Sequence, residues 1–362
     1  MKNTFKEALL FERLLDDNVR CDLCEHRCVI LPAKGRADSS VFPNLKKENT
    51  GFCGTRINVE GTLYALNYGK VTSLAVDPVE KKPLYHFTPG KSLLSFGSFG
   101  CNFRCPNCQN WEISQTSSLV HSKPLVVGSI MDNFSEVSPA EIVNQAIEND
   151  CVGIAYTYNE PTISLEFVLD VMKMAKKAKL KNVWVTNGFF SSATWGEIAP
   201  YLDALNVDLK SFNQRFYQSH AKGKLSSVVA NLLKIKETGI HLEITTLIIP
   251  NISSHPNMLR GIASFIKNKL GKTTPWHILS FAPEISWQMQ DWRGTNEEEI
   301  KKAYEIAKEE GLKFVYSDLN GLANTICPHC KTVNIERRNY QIERFDENGG
   351  CFKCGQNLCI RE

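Results

Sequence analysis

The sequence predicts an α/β fold in which parallel strands alternate with helices, flanked by two cysteine-rich segments. Between residues 92 and 318, strand-like apolar runs recur with helix signals between them. This alternation is typical of a parallel sheet, either barrel-like or doubly wound. The thirteen cysteines cluster at close spacings near both ends and around residue 101. In a long intracellular chain, such clusters indicate metal binding and not a disulfide framework.

Length and composition indicate one large globular domain with appendages. The chain has 362 residues, of which 43% are hydrophobic and 22% charged, and its net charge is +3. A charge so close to balance argues against a nucleic acid or an anionic membrane as partner. The first 18 residues carry charges throughout, and no run approaches the ~18 apolar residues of a membrane span. We therefore expect a cytoplasmic location.

Residues 1–60 form a cysteine-rich extension. The apolar spacing over residues 5–17 predicts a short amphipathic helix. The cysteines that follow are candidate ligands for one metal: Cys21, Cys24, Cys28 and Cys53. Three interpretations stay open for them. They hold a structural zinc ion or act as buried thiols that fix the N-terminus, they hold an auxiliary iron–sulfur cluster, or they are unliganded.

An antiparallel β lead-in is expected over residues 61–91. From residue 57 to 88, apolar and polar positions alternate, and Glu60-Gly61 and Tyr68-Gly69 are turn signals. The polar segment 77–87 either lines the approach to a site or stabilises the strand connection.

The core of the fold is expected over residues 92–318. Six strands are predicted, at Leu93–Phe96, Val152–Tyr156, Asn182–Thr186, Ala204–Asp208, His241–Leu247 and His277–Phe281, and a further one at Lys313–Tyr316. Ser138 and Glu141 form a capping box around Pro139. Thr295 and Glu298 are predicted to cap the last helix.

Three thiols lie within eight residues at the end of the first of these strands, at Cys101, Cys105 and Cys108. Thiolates are the ligands of iron–sulfur clusters. Three of them leave one iron of a four-iron cluster open to a small molecule, for which we favour S-adenosylmethionine (SAM). A reduced cluster would then cleave SAM to a 5′-deoxyadenosyl radical, chemistry that belongs to the cofactor. A zinc loop and a chance grouping of cysteines are the alternatives.

Polar side chains follow the next strands at the edge where parallel βα folds place their chemistry. The second strand ends in Asn159 and Glu160, which suit a ligand ammonium group, and the third in Thr186-Asn187-Gly188. Lys210, in Asp208-Leu209-Lys210 after the fourth strand, suits a ligand carboxylate. His241 and Glu243 share one face of the fifth strand, and the sixth offers His277.

Residues 319–362 form a zinc-ribbon-like tail. Its four ligands are Cys327, Cys330, Cys351 and Cys354, in two C-x2-C pairs separated by twenty residues. A structural zinc ion would fold a tail that is too small for its own core. A rubredoxin-like iron and unmetallated cysteines are the alternatives.

These motifs together resemble the radical SAM superfamily, whose hallmark is C-x3-C-x2-C after the first barrel strand. The N-terminal cysteine pattern, the Asp77–Phe87 segment, Gly-Cys-Asn-Phe around Cys101, Tyr-Asn-Glu-Pro-Thr and the cysteine-rich tail are similar to the AmmeMemoRadiSam-system enzymes of the pyruvate formate-lyase activating enzyme-like group. The resemblance implies an open, partial (βα)6 TIM-like barrel. It implies that Glu160, Asn187, Asp208 and Lys210 position SAM, that Phe103 shields the cluster, and that Asn159 replaces the second Gly of a Gly-Gly-Glu-Pro turn.

The sequence thus favours a radical SAM enzyme that abstracts hydrogen from a protein or small molecule, by glycyl-radical activation or another modification. We expect a low-potential electron donor, and by family analogy a protein substrate or a Memo- or AMMECR-type partner. Two alternatives are a non-enzymatic zinc interaction module and an iron–sulfur electron carrier, which would need a remote fourth ligand such as His86.

Overall fold

The chain begins with short antiparallel strands. The computed structural model describes residues 5–38, 40–41, 45–116, 134–338 and 340–362. Strand β1 (Lys6–Glu7) pairs with a later strand, β2 (Phe11–Arg13) pairs with β3 (Val19–Cys21), and Leu15–Asp17 form a 3₁₀ turn. The predicted helix over residues 5–17 is therefore wrong. Its apolar positions do not share a buried face, since Leu15 is 85% exposed, and backbone pairing with distant strands decides the conformation.

Antiparallel strands precede the parallel part of the fold. The N-terminal part continues through β4 (Val29–Ile30), β5 (Arg56–Val59), β6 (Thr62–Ala65) and β7 (Lys70–Val71). Strands β5 and β6 pair as a hairpin through Glu60-Gly61. Both turn residues have positive φ, 49° and 81°, as a two-residue hairpin turn requires.

A mixed sheet forms the centre of the molecule. Its first members are β8 (Ser73–Pro78) and β9 (Ser92–Gly97), and β10 (Ser135–Glu136) lies apart and pairs with β7. The others are β11 (Gly153–Tyr156), β12 (Lys181–Thr186), β13 (Ala204–Asp208), β14 (His241–Ile248), β15 (Trp276–Ser280) and β16 (Val315–Ser317). Strands β9 and β11 to β16 are parallel neighbours in chain order, and β8 adds antiparallel to β9.

All six expected strands are confirmed. The additional strand predicted at Lys313–Tyr316 corresponds to β16. Among the described residues β8 and β16 end the order and do not pair, so the barrel is partial. The inward positions of its strands enclose a cavity.

The longer helices pack against the sheet, whereas Ser114 and Phe216 of two short helices line the cavity. The helices are α1 (Trp111–Ser114), α2 (Pro139–Glu148), α3 (Leu165–Lys177), α4 (Ser192–Ile198), α5 (Gln214–Phe216), α6 (Leu225–Thr238), α7 (Pro256–Phe265) and α8 (Glu297–Glu309). Helices α5 and α7 continue as π-helical turns, Tyr217–Ala221 and Ile266–Gly271. In the described part of the chain, no helix combines the length and apolar character needed to cross a membrane.

One of the two predicted helix N-caps lies one position later in the chain than expected. Ser138 and Glu141 cap α2 as predicted. At α8 the cap is Asn296 with Glu299, not Thr295 with Glu298. The Thr295 hydroxyl instead accepts a hydrogen bond from Phe281 N (2.8 Å) and donates to the Ile248 carbonyl, so tertiary contacts outcompete the cap.

The two ends of the chain pack on the barrel. N-terminal residues such as Val19, Leu23 and Ile30 join the main buried core. The tail forms β17 (Thr325–Ile326), β18 (Val333–Arg338) and β19 (Gln341–Arg344), an antiparallel sheet. Arg337 donates to the Tyr85 carbonyl (2.8 Å), so the tail is fixed to the segment that follows β8.

Candidate metal and cofactor site

The carboxyl ends of the parallel strands and the loop after β9 enclose a cavity of about 840 Å³. All the predicted cluster and cofactor residues line it: Cys101, Phe103, Cys105, Cys108, Asn159, Glu160, Asn187, Asp208 and Lys210. They come from the ends of four neighbouring strands, which the parallel order brings to one rim. The structure therefore brings the predicted site together, while the role of each residue stays a prediction.

The three central thiols are less tightly gathered than the four thiols of the tail. Among the described residues, no three of the ligand atoms that include these thiols lie within 4.8 Å of one another. Around one tetrahedral ion with Zn–S bonds of about 2.3 Å, sulfur atoms would lie about 3.8 Å apart. A cluster distributes its thiolates over several irons and needs a wider spread. The thiolate donors suit an iron–sulfur cluster, and they are not gathered as tightly as one tetrahedral ion requires.

Burial keeps these thiols protonated in the absence of a metal. It raises the pKa of Cys105 to about 12, and the charge of Lys210 opposes the rise. Burial also raises the pKa of Cys101 and Cys108. Because only the thiolate binds metal, loading of this site releases protons.

Glu160 organises the rim through four hydrogen-bond donors. Its carboxylate accepts from Thr162 N (3.1 Å), the Thr162 hydroxyl (2.6 Å), the Thr186 hydroxyl (2.8 Å) and Asn187 N (2.8 Å). Burial raises the pKa of Glu160, and these donors oppose the rise. An ionised carboxylate only accepts hydrogen bonds, so this set of donors suits its charged form. The contacts tie the ends of β11 and β12 together.

The amides of Asn159 and Asn187 also hold backbone. Asn159 accepts from Ser98 N (3.1 Å) and donates to the Gly100 carbonyl (2.9 Å). Asn187 donates to the side-chain oxygen of Asn102 (2.7 Å) and accepts from Phe189 N (2.9 Å). Both residues therefore fix the loop that carries the three thiols. No residue pattern indicates these contacts, because they join residues far apart in the chain.

Lys210 and Asp208 form an ion pair beside the thiols. Lys210 Nζ lies 2.8 Å from Asp208 Oδ2. Although burial opposes it, the charges of Asp208 and of the Cys105 thiol raise the pKa of Lys210. The ammonium group therefore stays charged next to the thiols, as recognition of an anionic ligand group requires.

Phe103 packs beneath the thiol loop. Its side chain is 1% exposed and contacts the rings of Phe189 (5.3 Å between centroids) and Tyr217 (6.1 Å). Gly223 allows this position, because a Cβ atom there would lie 2.4 Å from Phe103 Cε1. Tight packing of this kind fixes the loop on the barrel.

The amino-terminal end of the barrel is closed by a buried polar network. Glu243 accepts from the Nε2 atoms of His241 (2.8 Å) and His277 (2.6 Å) and from the backbone of Tyr85 and His86. These hydrogen bonds hold the pKa of Glu243 well below its ordinary value despite burial. His241 and Glu243 thus point inward, as their shared face suggested.

The segment after β8 has both of the roles that the sequence left open. Residues 80–83 and Tyr85 line the cavity, and Asp77 binds Lys81 (2.8 Å), Lys82 (2.6 Å) and the Tyr158 hydroxyl (2.7 Å). His86 has both ring nitrogens engaged, with the Leu358 carbonyl (2.8 Å) and the Tyr316 hydroxyl (2.5 Å). It is therefore not free to act as a fourth cluster ligand.

Several lining residues were not identified from the sequence: Asn206, Thr245, Asp318, Arg337 and Tyr340. The first two alternate with predicted positions on β13 and β14, so strand periodicity offered a signal for them. The last two come from the tail, for which the sequence offers none. Asn206 Oδ1 and Thr245 Oγ1 are buried and have no hydrogen-bond partner among the described residues. Such unpaired groups in a cavity wall suit a polar ligand.

The tail cysteines form a compact site for one metal ion. The ligand atoms of Cys327, Cys330, Cys351 and Cys354 all lie within 4.8 Å of one another. The sulfur atoms of Cys327 and Cys354, and those of Cys330 and Cys351, are 3.6 Å apart. This is close to the ~3.8 Å edge of a tetrahedral zinc–thiolate site. A hydrogen bond with Thr332 lowers the pKa of Cys330 to about 6, which favours the thiolate.

The comparisons with known proteins agree with this geometry. Residues 96–259 match the model of the radical SAM superfamily. The chain is 38% identical over 361 residues to an uncharacterized protein of Methanocaldococcus jannaschii, covering 98% of this chain and 99% of that protein. It is 22% identical over 219 residues to the pyruvate formate-lyase-activating enzyme of Clostridium pasteurianum, covering 58% of this chain and 87% of the enzyme.

Among solved structures, Streptococcus suis SuiB bound to the precursor peptide SuiA is similar to 67% of this chain. The TM-score is 0.47 at 13% sequence identity, over 52% of the SuiB chain.

Proposed function

Because the chain belongs to the radical SAM superfamily, whose enzymes generally use an iron–sulfur cluster and SAM, we propose that Cys101, Cys105 and Cys108 hold a four-iron cluster. SAM binds beside it in the cavity. When both are bound, they supply reductive cleavage of SAM to a 5′-deoxyadenosyl radical, which takes a hydrogen atom from the substrate. The observation that supports this proposal is that the three thiols and the strand-end polar groups line one cavity.

The residues that line the cavity have separate roles in this proposal. Lys210 binds the carboxylate of SAM, since its charged ammonium group lies beside the thiols. Asn187 and Glu160 hold the rim and the thiol loop through their mutual hydrogen bond and the contact with Asn102. Asn206 and Thr245 offer their unpaired oxygens to polar groups of the bound molecules. Phe103 shields the cluster from below.

The substrate is a protein or a small molecule. Similarity to a pyruvate formate-lyase-activating enzyme supports glycyl-radical activation, and modification of another side chain is the second version. The resemblance to AmmeMemoRadiSam-system proteins supports a Memo- or AMMECR-type partner. A low-potential electron donor is required in every case. In the tail, the tetrahedral thiol set supports a structural zinc ion.

The experiment is carried out without oxygen. Wild-type protein and the Cys101→Ala/Cys105→Ala/Cys108→Ala variant are reconstituted with iron and sulfide, reduced with dithionite and incubated with SAM. Cys151→Ala, which changes a thiol outside all three cysteine groups, is the matched control. We expect 5′-deoxyadenosine from the wild type and the control and none from the triple variant. Equal formation by the triple variant, or none from iron-loaded wild type, would contradict the proposal.

A further inference from the structure

The four N-terminal cysteines gather beside the loop that carries the central thiols. Cys21 lies in β3, and its backbone N–H donates to the Cys28 carbonyl (2.9 Å). The backbone of Cys24 pairs with that of Phe190 in an isolated antiparallel β-bridge. Cys21, Cys24 and Cys53 are buried, and Cys28 is partly buried. Phe52 N donates to Cys28 Sγ (3.5 Å), which places the neighbouring Cys53 beside Cys28. The four side chains are therefore near neighbours.

Their spacing differs from that of the single-ion site in the tail. No three of these four sulfur atoms lie within 4.8 Å of one another, whereas all four tail sulfurs do. The N-terminal set shares its wider spread with the central thiols. One tetrahedral ion holds sulfurs about 3.8 Å apart. The N-terminal thiols are therefore not gathered as tightly as the four thiols of the tail.

A buried guanidinium beside these thiols has one nitrogen that is unpaired among the described residues. Arg56 is 1% exposed, and its Nη2 atom binds Glu166 at 2.6 Å. Burial lowers the pKa of Arg56, but Glu166 and the neighbouring Cys21 and Cys53 thiols raise it. Its Nη1 atom is buried and has no hydrogen-bond partner among the described residues. An unpaired buried cationic donor beside the Cys21 and Cys53 thiols is satisfied by an anionic acceptor, and the sulfur atoms of a thiolate-bound cluster accept such hydrogen bonds.

The same segment packs directly on the central loop. A Cβ atom at Gly100 would lie 2.7 Å from the Cys53 carbonyl oxygen, so the two backbones touch. Arg104 stacks on Phe52 (4.1 Å to the ring centroid) and donates to the carbonyls of Phe52 and Cys101. His26 Nε2 donates to the Asn102 carbonyl at 2.7 Å. The N-terminal cysteine segment and the loop of the central thiols therefore pack directly against each other.

We propose that Cys21, Cys24, Cys28 and Cys53 hold a second iron–sulfur cluster, ligated by four thiolates and paired with Arg56. Full thiolate ligation leaves no open iron, so this centre does not bind SAM. The inference rests on the N-terminal residues alone and stands even if the central site has another function.

The triple variant Cys101→Ala/Cys105→Ala/Cys108→Ala isolates the second centre. It is reconstituted without oxygen, and iron, acid-labile sulfide and zinc are counted per chain. We expect equal iron and sulfide, about two or four of each for a cluster with four cysteine ligands, with an electron paramagnetic resonance (EPR) signal after reduction. Adding Cys21→Ala/Cys24→Ala to the triple variant should abolish the bound iron and sulfide and the EPR signal. Adding Cys151→Ala instead should leave all of them unchanged.

Zinc without sulfide at the N-terminal site, or no metal beyond that of the tail, would overturn the proposal. Total iron in the wild type provides a check that needs no substitution. It should exceed the ~4 irons of a single four-iron cluster by the amount that the triple variant retains. A total of about four irons that falls to none in the triple variant would also overturn the proposal. Loss of SAM cleavage alone would not change these counts, so the two proposals fail separately.

Discussion

Replacement of Glu160 by Gln changes one atom of the side chain at the centre of the rim. The carboxylate now accepts from four donors, and two of them are backbone N–H groups, of Thr162 (3.1 Å) and Asn187 (2.8 Å). A Gln amide has one oxygen and one NH₂ group. The hydroxyls of Thr162 and Thr186 are able to rotate, but the backbone N–H groups are not. In either orientation of the Gln amide, one of the two backbone N–H groups therefore faces the NH₂ group, which is a donor and cannot accept its hydrogen bond.

The magnitude follows from that single unpaired group. A buried donor left without an acceptor costs about 1–3 kcal/mol. Because burial raises the pKa of Glu160, removal of the charge recovers part of this loss. We expect Glu160→Gln to lower the free energy of unfolding by about 2 kcal/mol. This corresponds to a fall of about 4 °C in Tm, at ~2 °C per kcal/mol for a chain of this size.

The assay is thermal unfolding of the reconstituted protein without oxygen, followed by circular dichroism at equal iron content. Glu148→Gln makes the same chemical change at an exposed position of α2 and should leave Tm unchanged. SAM affinity should fall in Glu160→Gln only, because Asn187 positions Asn102 in the thiol loop. A variant with wild-type Tm and wild-type SAM affinity would refute this account of Glu160.

Three further predictions concern the packing around the metal sites. Gly223→Ala should displace Phe103, because its ring would lie 2.4 Å from the new Cβ atom. We expect this variant to retain less iron and to form less 5′-deoxyadenosine. Gly196→Ala is the control, since an added Cβ atom there meets nothing within 4 Å, and it should leave both quantities unchanged. Glu166→Gln should lower the free energy of unfolding by about 3–5 kcal/mol, because Arg56 loses its buried partner. In the same unfolding assay, the double variant Arg56→Met/Glu166→Leu should show a smaller decrease in the free energy of unfolding. Cys351→Ser should remove one metal ion per chain, measured by elemental analysis, and make the tail sensitive to protease, whereas Cys359→Ser should do neither. Unchanged iron, stability or metal content in the respective variant would contradict each of these.

The barrel was predictable because its signals are local. The run from Ala204 to Asp208 and the five other expected strands were found from apolar runs and the turn residues that bound them. The parallel order then brought the predicted polar residues to one rim. The helix expected over residues 5–17 failed because its backbone pairs with strands up to about sixty residues away, such as Tyr64–Ala65. Apolar spacing contains no information about such partners.

The site was predictable in its members and less so in their contacts. Glu160, Asn187 and Lys210 were identified from their positions after strands, and the structure brings all three to the cavity. The hydrogen bonds between the Asn159 side chain and the backbone of Ser98 and Gly100 were not predictable, because they join residues about sixty positions apart. Arg337 and Tyr340 reach the cavity only because the tail packs beneath the barrel. Residue patterns therefore indicate chemistry well, and the supporting contacts need the fold.

The central claim is that one cavity holds both the cluster and SAM. We would record the EPR spectrum of the dithionite-reduced protein with and without SAM, and subtract the spectrum of the Cys101→Ala/Cys105→Ala/Cys108→Ala variant under the same conditions. The difference isolates the central site from any other centre. We expect SAM to shift this difference signal in the wild type, and to do so only weakly at the same concentration in Lys210→Met. A difference signal that is identical with and without saturating SAM would contradict the claim.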